Sequence, residues 1–206
     1  MTPKTKVLLL GAGFIAEIHA ESYHRFVPDA EIVSIYARSA TKAEAFARKH
    51  NVPRWFTEVN QAIAESGCDV VDICLPNFLH CQTVLAAARA GKHVIIEKPL
   101  CLSLKELRAI HKAVQQAKVK TCVCFECRYA SQFQVTKTIL DRGFLGQVHY
   151  GEVDYYHGIG PWYAQFRWCR RKNAGGSSLL EAGCHAMDAL LLCIGSEVVE
   201  VMSYGT

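Results

Sequence analysis

Gly11, Gly13 and Ala16 stand in the order G-x-G-x-x-A directly behind a short apolar run. In such a spacing the first glycine permits a tight turn and the second lets a pyrophosphate approach the backbone. The small third residue lets a helix pack closely on a strand. Phe14 and Ile15 would then open a helix whose free N–H groups suit an anion. About 20 residues beyond the glycines an NAD site normally carries Asp or Glu for the ribose 2′-hydroxyl. This chain has Ala37 there, then Arg38 and Ser39, with Lys42 one turn on. A guanidinium can hold a 2′-phosphate through two parallel bonds, so the expected cofactor is NADP(H), favoured over NAD(H).

Three further groups have chemical potential. Pro76-Asn77 and Glu97-Lys98-Pro99 each follow a strand pattern, and ligands of open α/β sheets bind at the carboxyl ends of strands. In the apolar stretch 178–194 the ionisable residues are Glu181, His185 and Asp188. Spacings of four and three place them on one helix face, where burial without a partner would be costly. No second cluster of ligands accompanies them, so no metal is expected. Cys122-x-Cys124-x-x-Cys127 lacks a fourth ligand of matching spacing and reads as part of a buried strand.

The elements that would position these groups alternate. Strand patterns at 6–10, 31–37, 55–56, 69–75, 93–97 and 121–125 are separated by helical patterns at 14–25, 41–50, 61–66, 79–90 and 104–117. Such alternation implies right-handed crossovers and a parallel sheet. After Phe125 the rhythm changes to a helix at 132–142, extended runs at 148–156 and 198–203, and the helix at 178–194. The expected fold is therefore α/β. A Rossmann-type parallel sheet spans residues 1–122, and an incomplete α/β open-sheet domain spans 123–206.

The 206 residues are 50% hydrophobic and 20% charged, as in a globular chain, and carry a net charge of +4 with both signs scattered. The longest basic cluster, Arg170-Arg171-Lys172, is too short to suggest nucleic acid. No apolar run is long enough for a membrane span. Ten cysteines show no even framework, which fits reduced thiols in a cytoplasmic protein. Lys4 and Lys6 before an apolar stretch imitate a signal peptide, but the Gly11-Ala12-Gly13 turn explains that stretch better.

GAGFIA with His19, LPNFLH ending at His80, AGKHVIIEKP and GGSSLLEAGCHAMD together resemble the Gfo/Idh/MocA oxidoreductases, from about Lys6 onward. The resemblance implies a Rossmann domain followed by an α/β domain whose open sheet often forms the oligomer interface. It implies hydride exchange between a nicotinamide and a sugar, cyclitol or related polyol. Catalysis falls on Lys98 and His185, and Glu181, standing where many members have Asp, would orient His185 or bind a neighbouring substrate hydroxyl. Cofactor contacts fall on Gly11, Gly13, Phe14, Ile15, Ala37, Arg38, Ser39, Lys42, Pro76, Asn77, His80, Glu97 and Lys98. Substrate contacts fall on Lys98, Arg128, Tyr156, Trp162, Glu181 and His185, with Tyr129 and His157 as further candidates. A homo-oligomer is expected through the second-domain sheet. The competing expectations are a non-catalytic nucleotide-binding or regulatory protein of this fold and, more remotely, a methyltransferase.

Overall fold

The computed structural model describes residues 3–163 and 165–204. Six strands form one parallel sheet: β1 (Thr5–Leu10), β2 (Ala30–Tyr36), β3 (Trp55–Phe56), β4 (Val70–Ile73), β5 (His93–Glu97) and β6 (Thr121–Cys124). Their spatial order is β3-β2-β1-β4-β5-β6, which is the order of a doubly wound dinucleotide fold. Helices α1 (Phe14–Phe26), α2 (Ala40–Lys49), α3 (Val59–Glu65), α4 (His80–Arg89) and α5 (Leu104–Ala117) make the crossovers.

Side-chain alternation along β1 explains why both faces must be covered. Leu8 and Leu10 join Val71, Ile73, Val94 and Ile96 in one core, while Leu9 joins Ile32, Ile35 and Phe46 in another. Successive residues of a strand point to opposite faces, so a strand apolar at every position from Val7 to Leu10 demands helices on both sides. Ser39 and Ser103 cap α2 and α5 by accepting bonds from Lys42 N–H and Glu106 N–H.

The chain divides into two compact units. The first comprises Met1–Cys124 and Ile159–Glu181, the second Phe125–Gly158 and Ala182–Thr206. The first also contains the short α7 (Phe166–Cys169), and the second contains α6 (Ser131–Asp141) and α8 (Cys184–Ile194).

Three expectations need correction. The helix foreseen at 178–194 begins as a π-helical segment, Leu179–Gly183, before α8. Such wider turns are uncommon and leave little trace in an apolar pattern. The runs 148–156 and 198–203 form no strand among the described residues. A strand exists only through its ladder, and the sheet foreseen there has no paired partner. Cys122 is exposed on the edge strand β6; of the ten free thiols, Cys68, Cys74 and Cys169 are buried. Among the described residues, no helix is long and apolar enough to cross a membrane.

Candidate functional site

The turn after β1 is built by close approach. Gly11 has φ +129°, and a Cβ added there would lie 2.5 Å from the carbonyl oxygen of Cys74. Any side chain would wedge the ends of β1 and β4 apart. Gly13 starts α1 without a side-chain cap, and nothing lies within 4 Å of where its Cβ would be. The start of α1 is thus uncapped, with space beside Gly13 and an exposed Phe14. A dinucleotide pyrophosphate fits this cradle, because a helix N-terminus supplies N–H donors and positive dipole to an anion.

At the end of β2, Ala37 is buried, while Arg38, Ser39 and Lys42 are exposed. The Ser39 hydroxyl already serves α2 as its cap. No carboxylate occupies the position that would recognise a free ribose 2′-hydroxyl.

The ends of β4 and β5 carry the densest polar network. Asn77, buried, donates through Nδ2 to the Glu181 carboxylate in a short bond and to the Gly175 carbonyl at 3.3 Å. The Lys98 ammonium donates to the Glu181 carbonyl oxygen at 3.0 Å. Glu181 is 5% exposed, so its two polar groups are committed to Asn77 and Lys98. Gly175, whose carbonyl Asn77 meets, passes so close to Cys169 that a Cβ there would fall 1.9 Å from the Cys169 carbonyl oxygen. His80 is fully buried between the carbonyl oxygens of Pro99 and Leu75, at 2.7 and 2.8 Å. Burial lowers its pKa, against the pull of those two carbonyls. Through these two carbonyls it ties the segments that follow β4 and β5.

In the second unit His185 is 4% exposed. Its Nδ1 lies 3.8 Å from the Cys127 sulfur and its Nε2 3.6 Å from Glu126 Oε1. Tyr155 stacks on the ring at 5.7 Å between centroids, and Phe125 meets it edge-on at 6.2 Å. Arg128, expected at the substrate, closes a two-pronged bond on Asp188. That pairing explains why Asp188 can sit inside an apolar helix face.

Lys98, Asn77 and Glu181 are therefore brought together within the first unit, and the wall of His185 is assembled within the second. Tyr156 and Trp162 are 93% and 74% exposed, and Tyr129 is 77% exposed. The residue against His185 is Tyr155, one position from the expected Tyr156, with Glu126 also unforeseen. Strand alternation without a known register cannot choose between Tyr155 and Tyr156. His19 was singled out only as part of a motif. Its ring partners are Asp72 and Glu97, and the one signal in the sequence is Asp72, a carboxylate inside the apolar strand 69–75.

Comparison with known proteins agrees with the sheet order. Residues 5–125 match the family described as "Oxidoreductase family, NAD-binding Rossmann fold", and residues 133–206 match the "GFO/IDH/MocA C-terminal domain". A scyllo-inositol 2-dehydrogenase (NAD(+)) of Bacillus subtilis is 28% identical over 206 residues, covering 100% of this chain and 58% of the relative. A 1,5-anhydro-D-fructose reductase of Ensifer adhaerens is 28% identical over 174 residues, covering 84% and 52%. The crystal structure of an NAD binding oxidoreductase from Klebsiella pneumoniae superposes with a TM-score of 0.79 at 26% identity, covering 93% of this chain and 54% of that one. The chain thus spans slightly more than half the length of these relatives.

Proposed function

From the premise that this chain belongs to the GFO/IDH/MocA oxidoreductase family, we propose that it interconverts a carbinol and a carbonyl carbon of a sugar, cyclitol or related polyol. NADP(H) is favoured over NAD(H), and the setting is a cytoplasmic homo-oligomer. Bound at the Gly11–Gly13 turn, a nicotinamide dinucleotide supplies the hydride donor or acceptor. Gly11, Gly13, Phe14 and Ile15 would hold its pyrophosphate, and Arg38 with Lys42 the 2′-phosphate. Pro76, Asn77 and Glu97, at the ends of β4 and β5, would flank the reactive end.

The chain's own chemistry concerns one oxygen. During oxidation His185 takes the hydroxyl proton as the general base. Lys98 donates a hydrogen bond to the same oxygen and stabilises the negative charge that develops on it. Glu181 positions both Lys98, through its carbonyl, and Asn77, through its carboxylate. The anchoring of Lys98 beyond β5 by Glu181 is the observation that carries this reading.

The cofactor preference is tested by fluorescence titration of NADPH and NADH. A charge-assisted contact contributes about 1.5–3 kcal/mol, so NADPH should bind at least about tenfold more tightly. Arg38→Ala should erase most of the difference, and equal affinities in the unaltered chain would overturn the preference. Turnover of a panel of cyclitols and sugars tests the reaction class.

A further inference from the structure

A cluster of buried and partly buried titratable side chains surrounds His19 on α1. Its Nδ1 lies 2.9 Å from Asp72 Oδ2 and its Nε2 lies 3.1 Å from Glu97 Oε1. A carboxylate only accepts, and a neutral imidazole has a single N–H, so between two carboxylates the imidazolium satisfies both contacts at once. Asp72 is fully buried at β4 and also accepts from the Tyr23 hydroxyl at 3.0 Å. The Cys74 sulfur lies 3.4 Å from Nδ1, and the Cys124 sulfur on β6 lies within 4.8 Å of a His19 ring nitrogen and a Glu97 carboxylate oxygen. Burial pushes the Cys74 thiol up, so it stays neutral and the cation is balanced by the carboxylates.

The second oxygen of Glu97 leads onward. Its Oε2 accepts from the Lys98 backbone N–H at 3.2 Å. We infer that His19 is a positioning residue: a standing imidazolium that pins Glu97 against the Lys98 peptide and so fixes where the Lys98 side chain departs from the sheet. The functional weight of this arrangement rests on the reading of Lys98 as catalytic; the arrangement itself does not. Burial alone would lower the His19 pKa, but the bonds to Asp72 and Glu97 outweigh it and raise it to about 10.

The test is a pH titration of the ¹⁵N-labelled chain by NMR, reading the His19 ring nitrogens and the Lys98 amide together. Both ring nitrogens should stay protonated through neutral pH and lose the proton near pH 10. The Lys98 amide resonance should move with the same midpoint, a coupling that mere packing of His19 would not produce. In Glu97→Gln the ring midpoint should fall and the Lys98 amide should no longer follow it. A ring that titrates near the ordinary value of about 6.5, or a Lys98 amide indifferent to it, overturns the inference. Turnover that survives Lys98→Ala would instead remove the catalytic reading of Lys98 and leave the titration to decide the positioning by itself.

Discussion

In the unit built on the parallel sheet, Leu8, Leu9, Leu10, Ile73 and Ile96 are wholly shielded from water. In the unit of α6 and α8, Ala189 is the only buried hydrophobic residue among those described. Yet α8 contains a near-continuous apolar run, and Met187, Leu191 and Ile194 are 43%, 45% and 39% exposed. Apolar content does not separate the two. The difference lies in what covers it: each face of the sheet meets helices, whereas the described part of the second unit sets helices beside extended segments without a ladder. Hydrophobic residues stabilise only in proportion to the area actually removed from water, so the first unit should hold most of the stability.

Paired substitutions offer the sharpest way to break that contrast. Ile73→Ala deletes a fully buried side chain from the centre of the sheet and should cost about 2–5 kcal/mol. Val199→Ala alters a residue 96% exposed and should stay within about 0.5 kcal/mol. Glycines repeat the test. Gly11→Ala drives a Cβ into a backbone carbonyl at a positive φ, so folding and cofactor binding should both be severely impaired. Gly151→Ala in the second unit meets the tips of Ile194 and Leu190 at 3.0 and 3.3 Å. Those side chains can yield, so the cost should be much smaller. Urea unfolding checks all four, and equal losses in both units would refute the asymmetry.

Function is predicted to draw on both units despite their unequal stability. Lys98→Ala and His185→Ala should each lower kcat/KM by about 10²-fold or more, equivalent to about 2.7 kcal/mol. Steady-state kinetics with NADPH provide the measurement, and near-normal turnover in either variant would remove that residue from the mechanism. Asn77→Ala frees the Glu181 carboxylate from its partner. It should act more mildly, since it works through Glu181 without losing either reacting group.

A pH series distinguishes the units again. The folded pKa of His19 is raised, to about 10, so its contribution to stability is complete below its unfolded value of about 6.5. As pH rises from there the unfolded state releases the proton while the folded state keeps it, and the contribution declines until it is lost near pH 10. Thermal melts of the chain should therefore drop across this alkaline window. His19→Gln should flatten the drop, and a profile unchanged by that substitution would count against the network.

The strengths of the sequence reading follow the same division. Helix α5 matches its expected span of 104–117, and all six sheet strands lie at or near their patterns, because a doubly covered sheet imposes local signals at every turn. The π segment before α8, the choice of Tyr155 over Tyr156 and the unladdered runs depend on register and partners, which local pattern does not encode. The His19 network escaped for another reason: its members are 53 and 78 positions apart, and only the closed sheet brings Asp72 and Glu97 to one imidazole.

The smallest predicted effect concerns two helix starts, the capped one of α5 in the first unit and the uncapped one of α6 in the second. At α5 the Ser103 hydroxyl accepts from Glu106 N–H at 3.2 Å, and the Glu106 carboxylate accepts in return from Leu102 N–H at 2.9 Å. Two otherwise orphaned donors are satisfied reciprocally, much as in a capping box. Helix α6 begins behind Ala130, which has extended backbone (φ −66°, ψ 137°) and no side chain able to accept. Ser103→Ala should therefore cost about 1 kcal/mol, and Ala130→Asp should gain a comparable or smaller amount, since Asp adds both an acceptor and a favourable charge at a helix N-terminus. Hydrogen exchange resolves where each effect falls: protection should drop in α5 for the first variant and rise in α6 for the second. If Ala130→Asp left exchange in α6 unchanged, the weakness of the second unit would lie wholly in its uncovered faces, and better local structure would not mend it.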